Sequence, residues 1–71
     1  GIHKGRDFVA VTAGEGGLYD LNVGGAEEWF DAYTGRPVGR GPQLKLNLRH
    51  AETFTACKKI LLDKISGGNA R

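Results

Sequence analysis

Twelve glycines divide this 71-residue chain into short segments, and they lie between runs of regular hydrophobic pattern rather than inside them. Glycine adopts the positive φ angles of tight turns at little cost, whereas it weakens the interior of a helix or a strand. This spacing therefore favours short strands joined by turns.

Alternation of apolar and polar residues predicts four strands. Residues 7–12 and 18–23 flank the glycine-rich segment 14–17, so residues 7–23 are interpreted as a β-hairpin. Residues 27–33 fit a third strand or a short helix, and their aromatic residues favour the strand. Residues 43–49 form the clearest pattern: Leu44, Leu46 and Leu48 point one way, and Lys45, Asn47 and Arg49 point the other.

From Glu52 to Ile65 the apolar spacing becomes helical, and Ser66–Asn69 contains residues that end helices. The sequence thus predicts a single α+β domain over residues 1–71, in the order β-β-β-β-α. Four antiparallel strands form a curved sheet, and one C-terminal amphipathic helix covers its leucine face.

A second copy of the chain is expected to complete the core. A domain of this length is marginally stable by itself, and Cys57 is its single cysteine, so no disulfide can strengthen it. The apolar stripe of the predicted helix is also wider than one sheet requires. We therefore expect a homodimer whose interface contains Phe54, Cys57, Leu61 and Ile65.

Several functional classes are not expected. His3, His50 and Cys57 have unrelated spacings and do not predict a metal site, and no cofactor motif is present. Neither histidine has an evident partner for nucleophilic catalysis, so the protein is expected not to be an enzyme. No apolar run approaches the roughly 18 residues of a membrane span. A lone cysteine without a secretion signal favours an intracellular protein.

The charges are distributed unevenly along the chain. Residues 1–35 contain two basic and six acidic residues, a net charge of −4, whereas residues 36–71 contain eight basic and two acidic residues, a net charge of +6. This asymmetry indicates either a basic surface for an anionic partner or a solvated loop and helix. Arg36 and Arg40 lie in a glycine-rich loop, and Lys45 and Arg49 lie on the polar face of the fourth strand.

Trp29 is the aromatic residue of greatest interest. Phe30 has the same parity as Ala32 and is expected to face the helix, which directs Trp29 to the open face with Lys45 and Arg49. An exposed ring there would stack on an unpaired base. The alternative is that Trp29 packs in the core.

The chain resembles the positive cofactor four family of transcriptional coactivators over residues 2–66. The resemblance is carried by order and spacing: Lys4 and Arg6 before the first strand, Asp20-Leu21, Trp29-Phe30-Asp31, Gly39-Arg40-Gly41, Leu44-Lys45-Leu46-Asn47, and Phe54.

Members of that family are homodimers that bind single-stranded DNA with little sequence specificity. The resemblance implies that Trp29 stacks on bases and that Lys4, Arg6 and Arg40 hold the backbone of DNA or RNA. It further implies contact with the transcription machinery, in a nucleus or nucleoid. The full set of expected nucleic-acid contacts is Lys4, Arg6, Trp29, Arg36, Arg40, Lys45 and Arg49.

A second resemblance covers less of the chain. Leu46-Asn47-Leu48-Arg49, followed by Phe54, is similar to a strand–helix step in doublecortin domains, which bind tubulin. The alternative function is therefore a protein-interaction domain with an acidic partner.

Overall fold

The computed structural model describes the backbone of residues 1–69 and the side chains as far as Ile65. Within that range the chain forms seven strands and one helix, which are β1 (Ile2–Lys4), β2 (Phe8–Thr12), β3 (Gly17–Asn22), β4 (Glu28–Asp31), β5 (Pro37–Arg40), β6 (Gln43–Leu48), β7 (Thr53–Lys58) and α1 (Lys59–Asn69). No helix in the described range has the length and apolar character needed to cross a membrane.

The chain is mostly β, and its strands form two antiparallel sheets. The prediction of an α+β domain with one four-stranded sheet, in the order β-β-β-β-α, is therefore wrong. Five strands pair in the order β1-β2-β7-β4-β5, and β3 pairs with β6 in a separate two-stranded sheet. The expected hairpin over residues 7–23 is also wrong, because β2 pairs with β1 and β7 while β3 pairs with β6. The glycine-rich segment carries the chain from one sheet to the other instead of folding β3 back onto β2.

Part of the segment that was predicted to be a helix, residues 52–65, forms a strand instead. Residues 53–58 form β7, which pairs with β2 on one side and with β4 on the other. The spacing of Phe54 and Cys57 fits a helix, but the same segment fits a strand equally well. In the strand, Phe54 and Ala56 face one way and Thr55 and Cys57 face the other. Two neighbouring strands satisfy the backbone of this segment, and tertiary pairing of this kind overrides a local pattern. The helix begins only at Lys59.

Two strands gave no usable signal in the sequence. β1 has three residues, all exposed, and β5 contains Pro37 and Gly39. Both lie at the edges of the five-stranded sheet, where proline and short strands are tolerated.

The core lies between the two sheets. Leu44, Leu46 and Leu48 are 5% exposed or less, which confirms the alternation expected for β6. They pack in one cluster with residues of β2, β3, β4 and β7: Val9, Val11, Leu21, Trp29 and Ala56. The five-stranded sheet covers this leucine face, so the prediction that the C-terminal helix covers it is wrong.

The outer face of the five-stranded sheet, turned away from this core, is partly covered by α1, which packs against β4 and β7. Cys57 lies on this face between Phe8 and Phe30, its partners in register on β2 and β4. Its side chain is fully buried, although it does not belong to the core between the sheets.

Candidate functional site

A cleft separates the two sheets where β1 and β3 approach each other. Within residues 1–69, β1 is an edge strand of its sheet and β3 pairs only with β6, so these two edges remain open. The cleft between them has a volume of about 330 Å³. We call it the seam cleft, and the residues in its wall that matter below are Lys4, Arg6, Phe8, Asn22, Gly24 and Trp29.

Two exposed cations border the seam cleft. Lys4 lies opposite Val9 in the β1–β2 register, and its Nζ donates a hydrogen bond of 3.1 Å to the carbonyl oxygen of Asn22 on β3. Arg6 lies in the turn that follows β1 and is also exposed. Among the side chains of residues 1–65, no carboxylate lies within 4.0 Å of either cation. Both charges are therefore available to an anion in the cleft.

Trp29 also lines the cleft, but its side chain is only 3% exposed. The strand expected over residues 27–33 is confirmed for Glu28–Asp31, but the face assigned to Trp29 is wrong. In a single sheet with one open face, the parity of Trp29 would expose it, whereas β3 and β6 cover that face here. A ring this deeply buried cannot serve as a stacking platform for a base.

Lys58 lies over the same ring. Its Nζ lies 5.8 Å from the centroid of the Trp29 ring and 3.0 Å from Oε1 of Glu27. A second carboxylate oxygen, Oδ1 of Asp7, is 4.0 Å away. The charge of Lys58 is thus balanced within the protein, unlike the charges of Lys4 and Arg6.

The connection between β3 and β4, residues 23–27, forms one wall of the seam cleft. Contacts with Arg40 and Gly41 hold this connection in place. Nη1 of Arg40 donates a hydrogen bond of 2.9 Å to the carbonyl oxygen of Ala26, and the backbone N–H of Gly41 donates one of 2.9 Å to Glu27. A Cβ at Gly41 would overlap the carbonyl oxygens of Gly24 and Gly25. Only glycine lets the two backbones approach this closely.

The predicted nucleic-acid contacts therefore fall into two groups. Lys4, Arg6 and Trp29 line the cleft, and Arg40 binds the connection that forms its wall. The other three lie elsewhere: Lys45 is on the outer face of β6 opposite Asp20, Arg49 directly follows β6, and Arg36 is in the turn between β4 and β5. The uneven charge along the sequence does not produce one continuous basic face.

A second, larger depression of about 530 Å³ lies beside the helix. We call it the helix-side groove. It is lined by residues 32–35 of the turn between β4 and β5, by Thr55 of β7, and by Leu62 and Ile65 of α1. Tyr33 is 86% exposed at its rim.

Sequence reasoning missed Tyr33. The signal that could have found it is the spacing Asp31-Ala32-Tyr33-Thr34-Gly35, since aspartate and glycine at these positions are typical of a turn. An aromatic residue inside a turn has little opportunity to be buried.

The residues expected at a dimer interface do not share one surface. Phe54 and Cys57 belong to β7 rather than to α1: Phe54 packs against the core, and Cys57 is fully buried. Leu61 is half-buried on α1, and Ile65 is 39% exposed. The broad helical stripe that suggested a dimer was created by placing strand residues on a helix. Dimerisation itself stays a prediction.

Burial raises the pKa of the Cys57 thiol, and the nearby carboxylate of Asp31 raises it further. Both effects disfavour the thiolate, so at neutral pH Cys57 is an uncharged apolar side chain and not a nucleophile. Among the described residues, no group of three or more His, Cys, Asp or Glu side chains lies close enough together to hold a metal ion.

Comparison with known proteins gives no relative: no family model, no curated protein and no solved structure matches this chain.

Proposed function

We propose that this protein binds single-stranded nucleic acid, DNA or RNA, with the backbone phosphates held at the seam cleft. The observation that carries the proposal is the pair of exposed cations, Lys4 and Arg6, that border one cleft without a carboxylate partner. Arginine and lysine supply most contacts to nucleic-acid phosphates, and such contacts bind without reading sequence.

The shape of the cleft supports a single strand over a duplex. A duplex-binding domain commonly places a helix in the major groove. Here α1 packs on the outer face of the sheet, and Lys59, its first residue, pairs with Asp63 at 3.3 Å. Lys4 and Arg6, which have no carboxylate partner among residues 1–65, instead border an opening between two strand edges, which a single backbone can follow.

Arg40 supports the same location. Its guanidinium uses Nη1 for the carbonyl oxygen of Ala26, and an arginine has five N–H donors in all. Arg40 is exposed but does not line the cleft, so its remaining donors can bind a further phosphate oxygen only beside the connection.

A titration tests the proposal. Labelled oligo-dT and oligo-U of about 16 nucleotides, the upper end of known site sizes for small single-strand-binding domains, are compared with a duplex of equal length at two salt concentrations. We expect tighter binding to the single strands and weaker binding at high salt. Equal affinity for the duplex would contradict the proposal.

Substitutions locate the binding site. Arg6→Gln removes one phosphate contact and should reduce the slope of log K against log salt by about 0.7. Lys4→Gln should do the same, although it also removes the hydrogen bond to Asn22. Lys64→Gln is the matched control, because it removes an equal charge from the exposed surface of α1. A control variant that loses as much affinity as Arg6→Gln would show that only net charge matters.

The same titration also tests the alternative that the doublecortin resemblance suggests, which is an acidic protein partner. Poly-glutamate carries carboxylates that the same cations can bind. If poly-glutamate competes as well as oligo-dT at equal charge, the site does not prefer nucleic acid to an acidic peptide, and the proposal is overturned.

A further inference from the structure

We infer that the helix-side groove receives one unpaired base of the bound strand, stacked on the ring of Tyr33. The inference rests on the proposed function and adds to it a second contact, on a different face of the five-stranded sheet. Trp29 is too deeply buried to supply the stacking surface, so a base needs another aromatic ring.

Tyr33 is the most exposed of the large apolar and aromatic side chains, at 86%. Hydrogen bonds nevertheless hold the backbone of the turn that carries it. Oδ1 of Asp31 accepts hydrogen bonds from the backbone N–H of Tyr33 at 2.7 Å and from that of Thr34 at 3.1 Å. The backbone N–H of Gly35 donates to the carbonyl oxygen of Asp31 at 2.8 Å. An aromatic side chain on a fixed backbone loses little conformational entropy when it binds.

The groove beside the ring has the size and lining of a ligand site. Its volume of about 530 Å³ is within the range of small-molecule pockets, about 300–1,000 Å³. Leu62 and Ile65 provide an apolar wall, and Thr34 and Thr55, which carry hydroxyl groups, are also in the lining. Each hydroxyl can both donate and accept a hydrogen bond, which suits the polar edge of a base.

A cation at the end of the turn favours a nucleotide over an aliphatic peptide side chain. Arg36 is exposed, and within residues 1–65 no carboxylate lies within 4.0 Å of its side chain. Its backbone N–H is fixed by Oγ1 of Thr34 at 3.2 Å. A nucleotide presents a flat apolar base and an anionic phosphate. Arg36 follows Tyr33 by three residues and lies outside the groove lining, where it can bind a phosphate of the same strand.

The test compares Tyr33→Ala with Tyr33→Phe, which keeps the ring and removes only the hydroxyl. Stacking on an aromatic ring contributes about 1–3 kcal/mol per base, so Tyr33→Ala should bind oligo-dT about 5- to 150-fold more weakly. Tyr33→Phe should bind nearly as well as the parent. Leu18→Ala is the control, because Leu18 is 71% exposed on β3, outside the groove.

An abasic oligonucleotide of the same length separates this inference from the proposed function. It retains the phosphates, so Tyr33→Ala should bind it as well as the parent does, whereas Arg6→Gln should bind it more weakly. If Tyr33→Ala binds oligo-dT like the parent while Arg6→Gln does not, the base site is wrong and the function stands. If the parent binds neither oligonucleotide, both fail. If Tyr33→Ala instead lowers self-association measured by sedimentation, the groove is an interface between copies and the inference is overturned.

Discussion

The seam cleft and the helix-side groove each contain an aromatic residue from the same short segment, yet the two residues have opposite environments. Trp29 is 3% exposed beneath the cleft, and Tyr33 is 86% exposed at the rim of the groove. Trp29 lies on a strand between two paired neighbours, whereas Tyr33 lies in the turn that follows. The comparison shows that an aromatic residue near basic residues indicates binding only once its exposure is known.

The two depressions also differ in what holds their walls. The seam cleft is bounded by strand edges and by a connection that Arg40 and Gly41 fix from behind. One wall of the groove is α1, which has 11 residues. Isolated helices of this length are marginal in water, so α1 depends on its packing against the sheet. We therefore expect the cleft to be the more rigid of the two.

The largest expected effect is on stability at the floor of the cleft. Trp29→Ala should lower the free energy of unfolding by about 3–5 kcal/mol, because it empties a space between the sheets. Tyr33→Ala should change it by no more than about 0.5 kcal/mol, as for other exposed positions. Urea denaturation of both variants measures the difference. Similar losses in the two variants would mean that Tyr33 also packs in the fold, and the contrast between the regions would disappear.

The sequence predicted the strands with the strongest alternation. Residues 43–49 were expected to be a strand with buried leucines, and β6 covers Gln43–Leu48 with all three leucines buried. The period of two is unambiguous there, because each leucine is separated from the next by a polar residue. β2 and β4 also lie within the expected segments, and β3 is displaced by one residue, covering Gly17–Asn22 instead of residues 18–23.

Strand pairing could not be predicted in the same way. Alternation shows that a segment has two faces, but it does not show which strand lies beside it. β7 lies between β2 and β4 and pairs with both of them. β3 therefore belongs to a second sheet instead of forming the expected hairpin with β2. The second sheet covers the inner face of the five-stranded sheet and buries Trp29. The wrong prediction of a helix over residues 53–58 therefore also led to the wrong prediction that Trp29 is exposed for stacking.

The wall of the cleft gives the next prediction. Gly41→Ala should lower the free energy of unfolding by about 1–3 kcal/mol, the usual range for overpacking, because its Cβ overlaps the backbone at Gly24 and Gly25. It should also weaken binding to oligo-dT, since the connection that forms the wall must shift. Gly14→Ala is the matched control, because a Cβ there meets nothing within 4 Å. If both variants behave like the parent, the connection is not fixed as described, and the seam cleft is no more rigid than the groove.

The smallest expected effect concerns the sheet face that α1 covers, and it appears only at alkaline pH. In the unfolded chain the Cys57 thiol titrates near its ordinary pKa of 9.0. In the folded protein its pKa is higher, because burial and the Asp31 carboxylate disfavour the thiolate. Between these two values the unfolded state has lost a proton that the folded state keeps, so the free energy of unfolding falls as pH rises through this window. Below 9.0 the thiol is protonated in both states and contributes no pH dependence.

Cys57→Ala isolates this contribution from the lysines and tyrosines that titrate at similar pH. Urea denaturation of the parent and the variant, below and above pH 9.0, should show a steeper loss of stability in the parent. The difference in slope, rather than either slope alone, reports the buried thiol. A thiol reagent supplies the second readout: labelling of folded parent protein should be slow, and it should accelerate when Leu62→Ala loosens the contact between α1 and the sheet. Equal pH dependence in parent and variant, together with rapid labelling of the parent, would mean that α1 does not cover this face of the sheet. The helix-side groove would then lack the helical wall that the base site requires.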